Sequence, residues 1–294
     1  MTNYPKITIV TPNYNLGAYL EQTILSVLNQ NYPNLEYIII DGGSTDNSID
    51  IIKKYEKELT YWISESDNGM YEAIQKGFDR STGEIMGWLN SDDMLVPNGL
   101  FTLAEVFSTF PAVNWVQGRP SSWDEKGRLI DIGMLKRWNK YHFYIGKYQW
   151  IQQESTYWTR KIWEKSGGKL NTGLKLAGDF ELWLRFFGYE KLYTVSALIG
   201  GFRFRKEQLS KSNEQEYLKE VKNSLAKVKG GFSLSQHIKT FIFRLFFILI
   251  QIGCRLQIRY DKLDAFFIGN IFNSPKLIHY NKIKQRFERI KYRP

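Results

Sequence analysis

Two acidic clusters, each placed directly after an apolar run, constrain this 294-residue chain more than any other feature. Ile38-Ile39-Ile40 leads into Asp41-Gly42-Gly43-Ser44-Thr45-Asp46, and Ile85-Met86-Gly87-Trp88-Leu89 leads into Asn90-Ser91-Asp92-Asp93. Short apolar runs bounded by turn residues read as buried strands, so both clusters fall at strand ends. In an open α/β sheet the carboxyl ends of strands border the ligand crevice. The two clusters therefore converge on one site although about fifty residues separate them. Carboxylates gathered in a cleft suit a hard cation, Mg²⁺ or Mn²⁺, held by one or two carboxylates and by phosphate oxygens. The expected ligand carries a diphosphate.

The pattern around the clusters supports that placement. Lys6 to Thr11 reads as a first strand, Gly17 to Gln30 as a helix with Leu20, Ile24, Val27 and Leu28 on one face, and Glu36 to Ile40 as a second strand. Asp46 or Ser48 caps a helix running to about Leu59. Tyr61 to Ser64 is a short third strand, Met70 to Arg80 a helix ended by Ser81-Thr82-Gly83, and Glu84 to Leu89 a fourth strand. Strand and helix alternating in this order predict right-handed crossovers and a parallel, Rossmann-like first half. Pro97 to Phe110 is a further helix, Asn114 to Gly118 and Arg128 to Ile132 are strands, Gly178 to Phe187 is a helix, and a strand lies near Lys191 to Val195.

Charge separates the tail from the rest. Residues 203–294 hold 20 Lys and Arg against 7 Asp and Glu, whereas residues 1–202 hold 20 against 23. The basic tail also carries a greasy stretch from 238 to 258, with Phe241, Phe243, Leu245, Phe246, Phe247, Ile248, Leu249 and Ile250 broken by Arg244. Its uninterrupted apolar run, Leu245 to Ile250, is far short of the roughly twenty residues that cross a bilayer. An apolar helix with basic flanks (Lys239, Arg244, Arg255, Arg259, Lys262) predicts residues 238–262 on an anionic membrane surface. A helix docked on the main domain, or one that dimerises, is the competing reading. Nucleic acid is not expected as a partner. After Ser274 the tail reads as a helix or as loosely ordered chain.

The single cysteine, Cys254, excludes an intrachain disulfide and suits a reducing compartment. Met1 to Lys6 lacks the basic and apolar regions of a signal peptide, so the expectation is a cytoplasmic protein, peripheral on the inner membrane face if the tail binds lipid. The polar segment from Lys206 to Glu216 marks a boundary. The expected division is a domain at 1–205, with a nucleotide-binding half (1–95) and an acceptor half (96–205), followed by a helical extension at 206–294.

Taken together, Ile7-Thr8-Ile9-Val10-Thr11-Pro12-Asn13-Tyr14-Asn15, the Asp41 to Asp46 cluster, Asn68-Gly69-Met70-Tyr71 and Asn90 to Asp93 resemble a family 2 glycosyltransferase. Four ordered motifs over about the first 200 residues make the likeness specific. The resemblance implies the GT-A fold, a nucleoside-diphosphate sugar as donor, a divalent cation and inversion at the transferred carbon. By that resemblance Asp93 is the metal ligand, Asp92 contacts ribose or sugar, and Ser91 orients their loop. Asp41 accepts from base or ribose, with Thr11, Pro12 and Tyr14 as the wall beside it and Tyr14 available for stacking. The family's second acid is replaced here by Gly42. Asp67 binds base or ribose, or belongs to an ordinary Asn-Gly turn; Asp46 is a helix cap rather than a ligand.

The segment Ala177 to Arg185 resembles the one in which an acid pair opens a helix and its second member is the general base. Gly178 stands where the first acid is usual, and Asp179 holds the base position or caps the helix. Glu181 lies about 200° around the helix and points elsewhere. Gly201 to Arg205 resembles a late segment that closes over the diphosphate, with Arg203 and Arg205 as phosphate clamps and Arg205 where His is common.

Trp138, Tyr141, Phe143, Tyr144, Tyr148, Trp150, Tyr157 and Trp158 crowd one stretch and form a candidate acceptor wall, since aromatic faces stack on sugars. His142, His237 and His279 have no metal-ligand spacing. The Gln-any-any-Arg-Trp motif of processive synthases is absent, which favours addition of one sugar to a glycan or lipid-linked hydroxyl. The alternatives are metal-dependent nucleotidyl or phosphoryl transfer, which lacks its usual phosphate-cradling loop here, and a non-catalytic nucleotide-sugar binder or scaffold.

Overall fold

The computed structural model describes residues 4–147, 150–206, 213–255, 272 and 274–291. β1 (Ile7–Asn13), β2 (Leu35–Asp41), β3 (Tyr61–Ser64) and β4 (Ile85–Trp88) are the predicted strands, separated by α1 (Gly17–Leu28), α2 (Ser48–Lys54) and α3 (Met70–Arg80). β5 (Met94–Leu95), α4 (Gly99–Thr109), β6 (Trp115–Gln117), β7 (Ser121–Trp123), β8 (Leu129–Ile132) and α5 (Lys140–Tyr144) follow. Then come β9 (Thr156–Thr159), α6 (Arg160–Lys165), α7 (Gly178–Tyr189), β10 (Tyr193–Thr194) and β11 (Gly200–Arg203). The chain closes with α8 (Glu214–Gly230), α9 (Leu234–Arg255), β12 (Leu277–Asn281) and β13 (Arg286–Ile290).

Among the described residues the main sheet runs β10-β6-β9-β4-β1-β2-β3. β4, β1, β2 and β3 are mutually parallel, and β9 is antiparallel to both β4 and β6. A smaller sheet, β5-β11-β7-β8, stands beside the carboxyl ends. β1, β2 and β4 are almost wholly buried because helices cover both faces, which explains why they read as continuous apolar runs, whereas β3 at the sheet edge is half-buried. Ile7, Ile9, Tyr37 and Ile39 pack on one face, and Val10, Ile38 and Ile40 on the other.

Three expectations change. The helix after Asp46 stops at Lys54, and a single tight turn, Glu56–Glu58, replaces its last part. The aromatic stretch is mainly core: Trp138, Tyr141, Phe143, Tyr144, Tyr157 and Trp158 are buried, Trp158 against Trp88 and Trp183, and of its described members only Trp150 is exposed. Tyr148 lies outside the described residues. The basic tail after Ser274 folds as the β12–β13 hairpin, which buries Ile278 and Phe287 beside Val195 instead of forming a helix.

Segments beyond 205 also enter the core. Val221 and Leu225 of α8 pack with α7, and Glu220 accepts from the backbone N–H groups of Lys175, Leu176 and Ala177 at 2.9, 3.0 and 2.8 Å. Among the described residues no helix is long and apolar enough to cross a membrane.

Candidate active site

β1, β2 and β3 build one wall. Asp41 ends β2, in register with Asn13 on β1 and Ser64 on β3. Its buried carboxylate accepts from Asn13 Nδ2 (2.7 Å), Ser44 Oγ (2.5 Å), Ser64 Oγ (2.6 Å) and the backbone N–H groups of Gly43 (3.1 Å) and Ser44 (2.9 Å). Burial opposes ionisation, but these donors outweigh it and hold Asp41 below the usual carboxylate range. A carboxylate has about four lone-pair sites, and five donors already share them. Asp41 thus fixes the loop that follows it.

Asp67 lies beside this wall. A side chain at Gly42 would place its Cβ 2.8 Å from Asp67 Oδ2, so the space of the family's second acid is filled from the loop after β3. Burial, with Glu72 and Asp41 nearby, pushes the Asp67 carboxyl up. Asp67 Oδ1 accepts from the Gly69 N–H at 2.9 Å.

Tyr14 is 62% exposed, so its ring is open to a stacking partner. Pro12 is buried beneath it in sequence. Thr11 is also buried and pairs its hydroxyl with Tyr37 (3.2 Å), which removes its side chain from the expected wall. Asp46 receives the Gly17 N–H (2.8 Å) and the Ser48 N–H (2.9 Å), joining the starts of α1 and α2 as a capping group.

The second wall follows β4. Thr23 on α1 donates its hydroxyl to the carbonyls of Ser91 (2.9 Å) and Asp93 (2.8 Å) and so sets the acidic loop. This residue was not identified from sequence. Asp93 is buried, accepts from the Arg203 backbone N–H (2.8 Å) and from Asn90 Nδ2 (3.1 Å), and is pushed well up by burial with Glu154 and Asp92 alongside. Ser91 Oγ is buried and has no hydrogen-bond partner.

Asp92 pairs with Arg205 at 2.6 Å. Arg203 departs from its expected role. Its side chain is wholly buried, donates from Nη1 to Gln22 Oε1 (2.6 Å) and lies over the Tyr19 ring, so it faces α1 while its backbone positions Asp93.

Asp179 is the second residue of α7, whose N-cap is Ala177. Its Oδ1 accepts from the Phe180 N–H at 2.7 Å, and burial pushes its carboxyl up to about 6. A Cβ on Gly178 would lie 2.7 Å from the Tyr71 ring, so the first acid of the expected pair has no room. Glu181 binds Arg185 (2.9 Å), away from Asp179.

One acid escaped the sequence reading. Glu154, on the turn Gln153–Ser155 before β9, is buried among Asp92, Asp93 and Asp179, and burial pushes it up to about 7. The available signal was an acid inside an otherwise apolar and aromatic run.

Among the described residues no three His, Cys, Asp or Glu side chains form a self-sufficient metal cage. The donor set at the β4 end is nonetheless all oxygen, with Asp93 central and the Glu154 Oε2 and Ser91 Oγ atoms buried and unpartnered. Such a set fits Mg²⁺ or Mn²⁺ completed by diphosphate and water, rather than a soft metal.

Acidic loops at the carboxyl ends of two parallel strands that flank β1, with a helix-borne carboxyl beside them, define a GT-A glycosyltransferase architecture. The family model described as Glycosyl transferase family 2 matches residues 8–191, and the chain belongs to that family. An uncharacterized glycosyltransferase of Nostoc sp. is 37% identical over 111 residues, which is 37% of this chain and 34% of the relative. TuaG of Bacillus subtilis, named for teichuronic acid biosynthesis, is 39% identical over 97 residues, 32% of this chain and 38% of its own length. The matches thus span little more than a third of these relatives.

Among solved structures, Staphylococcus aureus TarS 1–349 in complex with UDP-GlcNAc superposes with a TM-score of 0.64 at 17% identity, covering 78% of this chain and 68% of that one. Mannosyltransferase PcManGT from Pyrobaculum calidifontis, in complex with GDP-Man and Mn²⁺, gives 0.53 at 15% identity, covering 87% and 81%. These likenesses show the fold.

Proposed function

We propose that the chain transfers one sugar from a nucleoside-diphosphate donor to an acceptor hydroxyl with inversion. The observation that carries this reading is Asp179, a carboxyl raised to about 6 in the same crevice as the Asp92-Asp93 loop. A general base poised near the working pH is what deprotonation of an attacking hydroxyl requires. The acceptor oxygen attacks the anomeric carbon, the bond from that carbon to the diphosphate oxygen breaks, and the hydroxyl proton passes to Asp179. A divalent cation at Asp93 would neutralise charge on the departing diphosphate. Asp67 and Tyr14 hold the nucleoside, while Arg205 is placed to exchange Asp92 for a phosphate. Calorimetry with UDP and GDP, with and without Mn²⁺, tests the donor half. One nucleotide should bind only with the metal, and Asp93→Asn should abolish that binding. Failure of every nucleotide to bind would sink the proposal.

The acceptor is a glycan or lipid-linked intermediate of surface-polysaccharide assembly, met at the cytoplasmic face of an anionic membrane. TuaG's name supports the pathway class, and α9 supports the membrane. Phe243 of α9 is 2% exposed, packed on Tyr141 and Phe272, yet Ile238, Phe241, Leu245, Leu249 and Ile252 are exposed. At about 100° per residue these five cluster within one arc opposite Phe243. A second copy of the chain would bring two strongly basic tails together, whereas anionic lipid neutralises them. Residues 256–262 of the expected membrane segment lie outside the described residues. On this reading 1–205 is the catalytic unit and 206–294 the membrane-facing extension. Co-sedimentation with phosphatidylglycerol vesicles but not with phosphatidylcholine vesicles is the expected result; equal recovery in both pellets, or none in either, would remove the membrane.

A further inference from the structure

Glu154 is a buried acid without an evident structural purpose. It is 4% exposed, and its Oε2 accepts no hydrogen bond. The Asp93 carboxyl is within hydrogen-bonding reach, and Asp92 and Asp179 are its other charged neighbours. The nearest cations face the other acids of the loop: Arg205 pairs with Asp92 at 2.6 Å, and the Arg203 guanidinium donates to Gln22 at 2.6 Å with Asp93 and Asp92 as its charged neighbours. The turn that carries Glu154 is clamped to the strand that carries the acidic loop, because Gln153 Nε2 donates to the Trp88 carbonyl at 2.6 Å. Glu154 is therefore fixed relative to Asp93 by the backbone of β4. Burying one carboxyl beside another is costly unless a cation joins them, and a neutral side chain would fill the same space without that cost.

We propose that Glu154 is the second protein carboxylate of the divalent-cation site, acting with Asp93 and with the diphosphate oxygens. The inference rests on the reading of Asp93 as a cation ligand. Two carboxylates with phosphate and water oxygens make a complete hard-cation shell. Glu154 also brings to the site a carboxylate that Gly178 cannot supply.

The test is Mn²⁺ uptake by the full chain, followed by electron paramagnetic resonance of free Mn²⁺ with UDP or GDP present, for the native protein, Glu154→Gln, Glu154→Asp and Asp93→Asn. Glu154→Gln should weaken Mn²⁺ binding at least tenfold, and Glu154→Asp should recover part of the loss. Without Mn²⁺, Glu154→Gln should melt no lower than the native protein, because the carboxamide removes buried repulsion and keeps the shape. Native Mn²⁺ affinity in Glu154→Gln, with affinity lost in Asp93→Asn, would overturn the role of Glu154 alone. No uptake by the native protein would overturn both readings. A marked loss of stability in Glu154→Gln and Glu154→Asp without metal would assign the carboxyl to the fold instead.

Discussion

Asp41 on one wall of this crevice and the acids beyond β4 on the other are biased in opposite directions. At the end of β2, Asp41 is surrounded by donors and held charged, below its ordinary range. Beyond β4, Asp93 and Glu154 are buried and Asp179 is half-buried, each with few donors, and all three are pushed up. The first environment is already satisfied and works as scaffold. The second favours uptake of a proton or a cation, which a transferase can use to take a hydroxyl proton on one side and to stabilise a departing diphosphate on the other.

The largest expected effect lies at Asp179. Asp179→Asn should lower kcat by about 10²- to 10⁴-fold, the usual contribution of a positioned base, while UDP or GDP affinity stays within about twofold. In the native enzyme kcat/KM should fall about tenfold per pH unit below about 6, where Asp179 takes up a proton. Stability runs the other way. Because the folded value lies above the ordinary 3.8, the proton is bound more tightly in the folded state, so the Asp179 contribution shrinks as pH rises from about 4 through about 6. Thermal melts at pH 7.5 should therefore show Asp179→Asn as stable as, or more stable than, the native chain. Lower stability there together with native kcat would erase the contrast between the walls.

Asp41→Asn should behave as the mirror image. A carboxamide cannot accept what five donors offer, and the loss should be about 3 kcal/mol in urea denaturation at pH 7. The folded value lies below the ordinary 3.8, so this contribution is complete above that value and disappears as pH falls through the lower one. The native and Asp41→Asn melting temperatures should thus converge on acidification. Parallel curves from pH 7 to pH 2 would show that the charge of Asp41 is not what holds the loop.

These contrasts were partly legible in the chain. Tyr61–Ser64 and Met70–Arg80 appear with their predicted limits because turn residues close both ends of each. The inward turn of Thr11 was readable from alternation, since Ile7 and Ile9 share its side of β1 and pack with Tyr37 and Ile39. Arg203 was not readable, because its partner Gln22 is 181 positions away and no local pattern encodes that meeting. The aromatic stretch misled for a related reason: Trp158 meets Trp88 and Trp183 across the sheet, and such burial leaves no periodic signature. Thr23 lay on the buried face of a correctly placed helix, where a hydroxyl looks like a small core residue. Thr23→Val keeps that volume and removes the donor to Ser91 and Asp93; it should cost about 1–2 kcal/mol in denaturation and weaken Mn²⁺-dependent UDP or GDP binding severalfold.

The smallest effect on the fold is expected farthest from the crevice. Phe241, Leu245 and Leu249 are exposed on α9, so their replacement by Ser removes almost no native contact and should leave the urea midpoint within about 0.5 kcal/mol of native. Phe243 sits on the docked side of the same helix, and Phe243→Ala should cost about 3–5 kcal/mol. One helix thus offers two apolar faces that differ in what covers them. If the outer face meets lipid, the triple Ser variant should leave the phosphatidylglycerol pellet while keeping nucleotide binding. A triple variant that denatures like Phe243→Ala would show that the outer face is covered within the folded protein.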